Sequence, residues 1–247
     1  PKYSATRDDD GRWYKEEDEE PHKGTNKMKT TAKKTALVLG SSRGVGAAIA
    51  EEFRAAGIDA PRISSKEIDT ASQESVLAFA KNNPSTDILV FNTGGPPKKD
   101  FFEITAEEWQ KYHQQLFLSF VTLLQKIEVR DGGYIFLINS HLISEPKENM
   151  ILSQSYRIAS WAMLKALSKR FAARQVSCLN IAMGPILTDR LKNLTSDLSA
   201  LEQKLPMKRA GKPEEVGKFI RLIVEGDIKY LTGVSITFDG GMSSFIL

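Results

Sequence analysis

From residue 34 onward the apolar positions follow two rhythms in turn. Thr35-Ala36-Leu37-Val38-Leu39 is a short, nearly unbroken apolar run, the pattern of a strand buried on both faces. Val45, Ile49, Phe53 and Ala56 follow on one face at helical spacing, and Gly57 stands where a left-handed helix cap is expected. Comparable apolar runs predict strands over 87–91, 134–138, 176–180 and 235–238, and helical patterns separate them at about 72–82, 105–128, 153–173 and 213–224. Thr105 with Glu108 reads as a capping box, and Pro213 occupies a first helical position ahead of Glu214 and Glu215. Alternation of this kind predicts an α/β domain, a doubly wound parallel sheet of about seven strands with helices on both faces. The strand expected near 58–64 should be short or distorted, because Pro61 removes a ladder donor. The stretch from Gly57 to Asp69 is also too short for a helix joining the second and third strands.

Composition narrows the picture. A chain of 247 residues that is 41% hydrophobic can bury one substantial core, so one domain over 34–247 is expected. Residues 1–33 read as a polar, charged extension, with acid runs at 8–10 and 16–20 and almost no aliphatic side chain. Trp13 and Tyr14 are its exception, a pair able to anchor on the main domain or on a neighbouring subunit. The net charge of +3 gives no reason to expect a nucleic-acid or membrane partner. Cys178 is the sole cysteine, which excludes a disulfide framework and a cysteine-rich metal site and suits a reducing compartment. No apolar run reaches the ~20 residues of a membrane helix, so a soluble, cytoplasmic protein is the expectation.

Candidate chemistry begins directly after the first strand. In Gly40-Ser41-Ser42-Arg43-Gly44-Val45-Gly46 the glycines let backbone approach a pyrophosphate while the following helix supplies N–H groups and positive dipole. A glycine triplet alone is weak. Between a buried strand and an amphipathic helix, it points to a Rossmann-type dinucleotide site.

The spacing Gly40-x-x-x-Gly44-x-Gly46 resembles the fingerprint of the short-chain dehydrogenase/reductase family. Asn92-Thr93-Gly94-Gly95 resembles that family's Asn-Asn-Ala-Gly segment, and Met183-Gly184-Pro185-Ile186-Leu187-Thr188 its Pro-Gly loop beside the nicotinamide. The ending from Pro206-Met207-Lys208-Arg209 to Asp239-Gly240-Gly241 is similar to reductases of the 3-oxoacyl-carrier-protein type. The resemblance implies that Ser41, Ser42 and Arg43 line the phosphate loop, Asp69 the adenine, Asn92, Thr93 and Gly94 the adenosine-ribose wall, and Gly184 and Thr188 the carboxamide. Asn92 bracing a loop and Thr188 capping a helix are the structural alternatives. Ser64, Ser65 and Lys66 occupy the place where an NAD-preferring relative carries an acid. With Arg43 nearby they suit a 2′-phosphate, so the cofactor expected is NADP, with NAD still open. By the same resemblance, the helices near 105–128 and 153–173 imply a homodimer or homotetramer.

The family supplies its proton through Tyr-x-x-x-Lys, a serine and an asparagine, and here that pattern breaks. Arg157 falls on the tyrosine position and Trp161 on the lysine position, with Tyr156 one residue early and Lys165 nine residues beyond it. The asparagine position holds Leu116, next to Gln115. Ser140, in Leu137-Ile138-Asn139-Ser140-His141, is retained at a strand end that faces the crevice. The candidate catalytic set is therefore Ser140 and Arg157 to polarise a substrate oxygen, with His141 or Tyr156 to supply a proton. Two functions are consistent with this: an atypical NAD(P)-dependent reductase of a small carbonyl or enone, or a non-catalytic dinucleotide-binding or scaffold protein. The loop over 188–205 carries only Arg190 and Lys192 as charge-specific features and does not name a substrate.

Overall fold

Buried residues alternate to the two faces of every central strand, because each strand carries helices above and below. In the computed structural model, which describes residues 33–246 and the short strands Thr6–Arg7 and Trp13–Tyr14, five parallel strands stand in chain order. They are β1 (Ala36–Val38), β2 (Ser85–Phe91), β3 (Glu128–Ser140), β4 (Ser177–Met183) and β5 (Val234–Phe238). Chain contacts divide the protein into Pro1–Ala32 and Lys33–Leu247. In the first unit Thr6 pairs with Tyr14 and Arg7 with Trp13 in antiparallel register. The side chains of Trp13 and Tyr14, and with them the anchoring expected of that pair, lie outside the described residues.

The sheet has five strands where about seven were expected. On the outer edge of β1 the chain makes a single bridge, Thr35 to Asp59. There Ala36 N–H donates to the Asp59 carbonyl at 2.7 Å and Asp59 N–H to the Lys34 carbonyl at 2.8 Å. Pro61 has no N–H with which to extend the ladder. The chain then reaches the next helix through turns alone, so the connecting helix is missing as the short spacing implied, and no further strand forms between Ala60 and Ser72.

The helices are α1 (Gly44–Ala55), α2 (Gln73–Asn82), α3 (Ala106–His113), α4 (Ser119–Lys126), α5 (Ile151–Ala172), α6 (Asp189–Leu194), α7 (Leu198–Lys204) and α8 (Pro213–Glu225). On one face of the sheet, Val45, Ile49 and Phe53 of α1 and Val216 and Ile220 of α8 pack on Val38, Val90, Phe136 and Ile181. A Cβ on Gly217 would lie 2.7 Å from the Ala48 carbonyl oxygen, so glycine is what lets α1 and α8 cross closely. On the other face, Phe79, Phe120, Leu123 and Leu164 cover Leu37, Leu89, Ile135 and Cys178.

Local signals acted as their chemistry dictates. Gly57 takes φ +77°, and Ile58 N–H returns to the Phe53 carbonyl at 2.9 Å, closing α1. Thr105 and Glu108 cap α3 reciprocally. The pattern over 105–128 is not one α-helix, because a π turn, Gln114–Leu118, separates α3 from α4. Among the described residues no helix is long and apolar enough to cross a membrane.

Candidate active site

The carboxyl ends of the parallel strands converge on the loop between β1 and α1. Gly40 and Gly44 adopt φ +62° and +58°, a backbone that side chains disfavour. A Cβ on Gly46 would lie 2.7 Å from Asn92 Nδ2, so the third glycine is fixed by how closely α1 approaches the end of β2. Arg43 stands at the N-cap of α1 without a side-chain cap hydrogen bond, leaving the first-turn N–H groups as free donors. Ser41 is buried and faces away from this opening. Its hydroxyl accepts Ile63 N–H at 2.7 Å and ties the loop to the degenerate edge strand.

Asn92 braces this loop, its amide donating to the Leu39 carbonyl at 3.1 Å. Thr93 shares a 3.1 Å hydroxyl contact with Thr70, and Gln115 donates to the Gly94 carbonyl at 3.0 Å. Gln115 reaches Gly94 from the π turn, whose widened geometry redirects this part of the helix. The neighbouring Leu116 carbonyl accepts a 2.7 Å hydrogen bond from the buried Ser160 hydroxyl. Trp161 packs against the core, while Ser160 satisfies the backbone beside it.

At the end of β3, Ser140 Oγ accepts Leu142 N–H at 3.3 Å, and the hydroxyl proton remains available to a ligand. His141 is buried and its Nδ1 lies 3.1 Å from the Met183 carbonyl. That contact makes Nδ1 the protonated nitrogen, and burial holds the imidazole below its ordinary 6.5. His141 is therefore a neutral imidazole with an unprotonated Nε2. The Tyr156 hydroxyl donates to the Trp109 carbonyl at 3.1 Å, its ring lies between Trp109 and His113, and burial raises its pKa. Lys165 donates to the Gly233 carbonyl. Neither Tyr156 nor Lys165 is brought into the Ser140 cluster.

Arg157 is. Its Nε donates to Ser153 Oγ at 3.2 Å, Nη1 to the Ile138 carbonyl at 3.2 Å and Nη2 to the Thr93 carbonyl at 3.4 Å, bridging the ends of β2 and β3. Burial, helped by the charge of Arg190, lowers Arg157 to about 10, and it stays cationic at neutral pH. Arg190 reaches across from α6, donating to the Gly95 and Pro96 carbonyls at 2.8 and 2.9 Å.

After β4, Gly184 lies against the loop following β5, where a Cβ would fall 2.8 Å from Asp239 Cβ. Thr188 caps α6, accepting Leu191 N–H at 3.4 Å, and its methyl group faces Gly44. At the opposite end of the crevice the Glu67 carboxylate accepts both the N–H and the hydroxyl of Ser64 at 2.6 Å. Lys66 and Arg43 are exposed, and Asp69 Oδ1 accepts Ala71 N–H at 2.9 Å in a local turn. Arg62, not singled out from the sequence, donates to the Ser42 carbonyl at 3.2 Å and stands beside the glycine loop. Its one legible signal was a basic residue following Pro61 on the edge strand.

These residues fit the diphosphate half of a nicotinamide dinucleotide, since the positive-φ glycines and the uncapped start of α1 present unpaired N–H groups at the sheet edge. A family model described as enoyl-(acyl carrier protein) reductase matches residues 63–243. The chain belongs to the short-chain dehydrogenase/reductase family of oxidoreductases. Within that family it resembles the 3-oxoacyl-carrier-protein reductases. The 3-oxoacyl-[acyl-carrier-protein] reductase FabG of Aquifex aeolicus is 28% identical, with 85% of this chain and 97% of the relative covered. The cyclic-di-GMP-binding biofilm dispersal mediator protein of Escherichia coli is 26% identical, with 85% and 98% covered. The fold is shared with L-sorbose reductase from Gluconobacter frateurii, a structure complexed with NADPH and L-sorbose, at a TM-score of 0.77 and 24% identity over 87% of this chain and 98% of that one.

Proposed function

We propose that the protein is an atypical NADP-dependent reductase of a small carbonyl compound. The observation that carries this reading is the junction of the glycine loop with Asn92, which sets the start of α1 at the carboxyl ends of the strands, where Ser140 and Arg157 also stand. A bound reduced nicotinamide would supply hydride. Ser140 donates its hydroxyl proton toward the substrate oxygen. Arg157, held rigid by three acceptors, stabilises negative charge developing on that oxygen without releasing a proton. The geometry favours this pair over Tyr156 and His141, whose hydroxyl and N–H are already given to backbone carbonyls. The proton then reaches the alkoxide from solvent through Ser140. Losing a dedicated general acid lowers a rate by roughly 10²–10⁴, so a slow reductase is expected.

Preference for NADP rests on Arg43, Arg62 and Lys66 around the loop, cations suited to a 2′-phosphate. Glu67 opposes them, but its carboxylate is occupied by Ser64. A homodimer through α3, α4 and α5 is part of the same proposal, supported by the exposed Ile158 on α5. The test is titration with NADPH and NADH by nucleotide fluorescence, then a carbonyl panel read as NADPH oxidation. Binding with turnover supports the reductase. Tight binding with no turnover across the panel replaces it with a non-catalytic dinucleotide-binding protein.

A further inference from the structure

Two cations meet at Gly95. A Cβ placed on that glycine would lie 3.0 Å from Arg190 Nη2 and 3.4 Å from Arg157 Nη2, with Ser153 Oγ also at 3.4 Å. The missing side chain therefore lets the two guanidinium groups close on the Gly95 backbone, and the notch between them is too tight for a methyl group unless one of them shifts. Among the described residues neither arginine has a carboxylate within ion-pair distance, whereas Arg130, Arg174, Arg209 and Arg221 each pair with a Glu or Asp. The partners of the notch pair are instead backbone carbonyls and one hydroxyl, acceptors that carry no net charge.

Holding two like charges side by side in a half-buried position is unfavourable unless an anion offsets them. A guanidinium carries five N–H donors. The carbonyl and hydroxyl contacts use three from Arg157 and two from Arg190, so both keep donors in hand. The two arise from different elements, α5 and α6, and each is anchored by its own acceptors, so the forks are already positioned before a ligand arrives. Ser140 lies at the end of the strand whose Ile138 carbonyl holds Arg157. Ser140 follows two residues beyond Ile138 on that strand and carries the hydroxyl that would polarise a carbonyl.

We propose that Arg157 and Arg190 form an anion subsite that selects substrates bearing a carboxylate next to the reacting carbonyl. This rests on the reductase reading and adds to it the class of substrate. It also gives Arg157 a role of its own, since this residue supplies a fixed positive charge and a planar fork for a carboxylate.

The experiment compares phenylglyoxylate with its methyl ester, which removes the charge and keeps the ketone. Binding is read by calorimetry on the full chain, with and without NADPH. The acid should bind at least tenfold more tightly than the ester. Arg190→Gln should reduce that preference to within about twofold while NADPH affinity changes little. Arg157→Lys, which keeps the charge and loses the fork, should weaken acid binding as well. Equal binding of acid and ester overturns the proposal. So does an Arg190→Gln protein that loses NADPH affinity tenfold and keeps its preference for the acid, which would assign the pair to the cofactor's diphosphate. If NADPH fails to bind at all, the reductase reading falls, and the titration without nucleotide still decides whether the notch takes a carboxylate.

Discussion

The Ser160 hydroxyl donates a 2.7 Å hydrogen bond to the Leu116 carbonyl, joining the middle of α5 to the π turn between α3 and α4. A π turn disturbs the regular backbone ladder, and a buried carbonyl left without a donor is costly. One small hydroxyl thus holds the distortion that lets Gln115 reach Gly94.

Ser160→Ala should therefore destabilise the protein by about 1–3 kcal/mol, the usual cost of a buried unsatisfied group. Urea unfolding measures it. A change below about 0.5 kcal/mol would show that the π turn is held by its own packing.

Gly46→Ala should weaken nucleotide binding by more than tenfold, because the new methyl group meets Asn92 Nδ2 at 2.7 Å and the Gly40 backbone as well. Nucleotide fluorescence titration checks this. Gly241→Ala is the control for a positive-φ glycine with open space around it, and it should leave binding unchanged.

Arg62→Ser should shift the ratio of NADPH to NADH affinity toward NADH by about tenfold or more, the worth of one charge-assisted hydrogen bond. Parallel titrations with both nucleotides read the ratio. An unchanged ratio would assign Arg62 to bracing Ser42 alone.

His141 contributes a pH dependence whose sign follows from burial. The folded chain holds the imidazole neutral below its ordinary 6.5, whereas the unfolded chain takes up a proton as pH falls through that value. The unfolded state then binds more protons, so this stabilisation is complete above about pH 6.5 and declines as pH drops. Tm should fall between pH 7.5 and 5.5, and His141→Asn should flatten the decline. Parallel slopes for the two proteins would remove His141 as its source.

Much of the fold was legible because it depends on local periodicity. The strand at β1, the helix ends at Gly57, Thr105 and Pro213, and the shortage of residues between Gly57 and Asp69 are properties of adjacent residues. The strand count was not legible, since whether the segment at Ala60 and Pro61 pairs with β1 is settled across the sheet. The candidate site divides in the same way. The glycine loop is a contiguous motif and announced itself, whereas Arg62, Gln115 and Arg190 reach their partners from separate elements.

The sequence by itself determined the α/β class and the order of helices and strands, because each is written in neighbouring residues. Only the tertiary structure decided that Arg157 joins Arg190 at Gly95, that Tyr156 gives its hydroxyl to Trp109, and that Thr188 caps a helix. Those outcomes depend on which groups the packed chain brings within hydrogen-bonding reach, and residues far apart in sequence carry no periodicity that reports it.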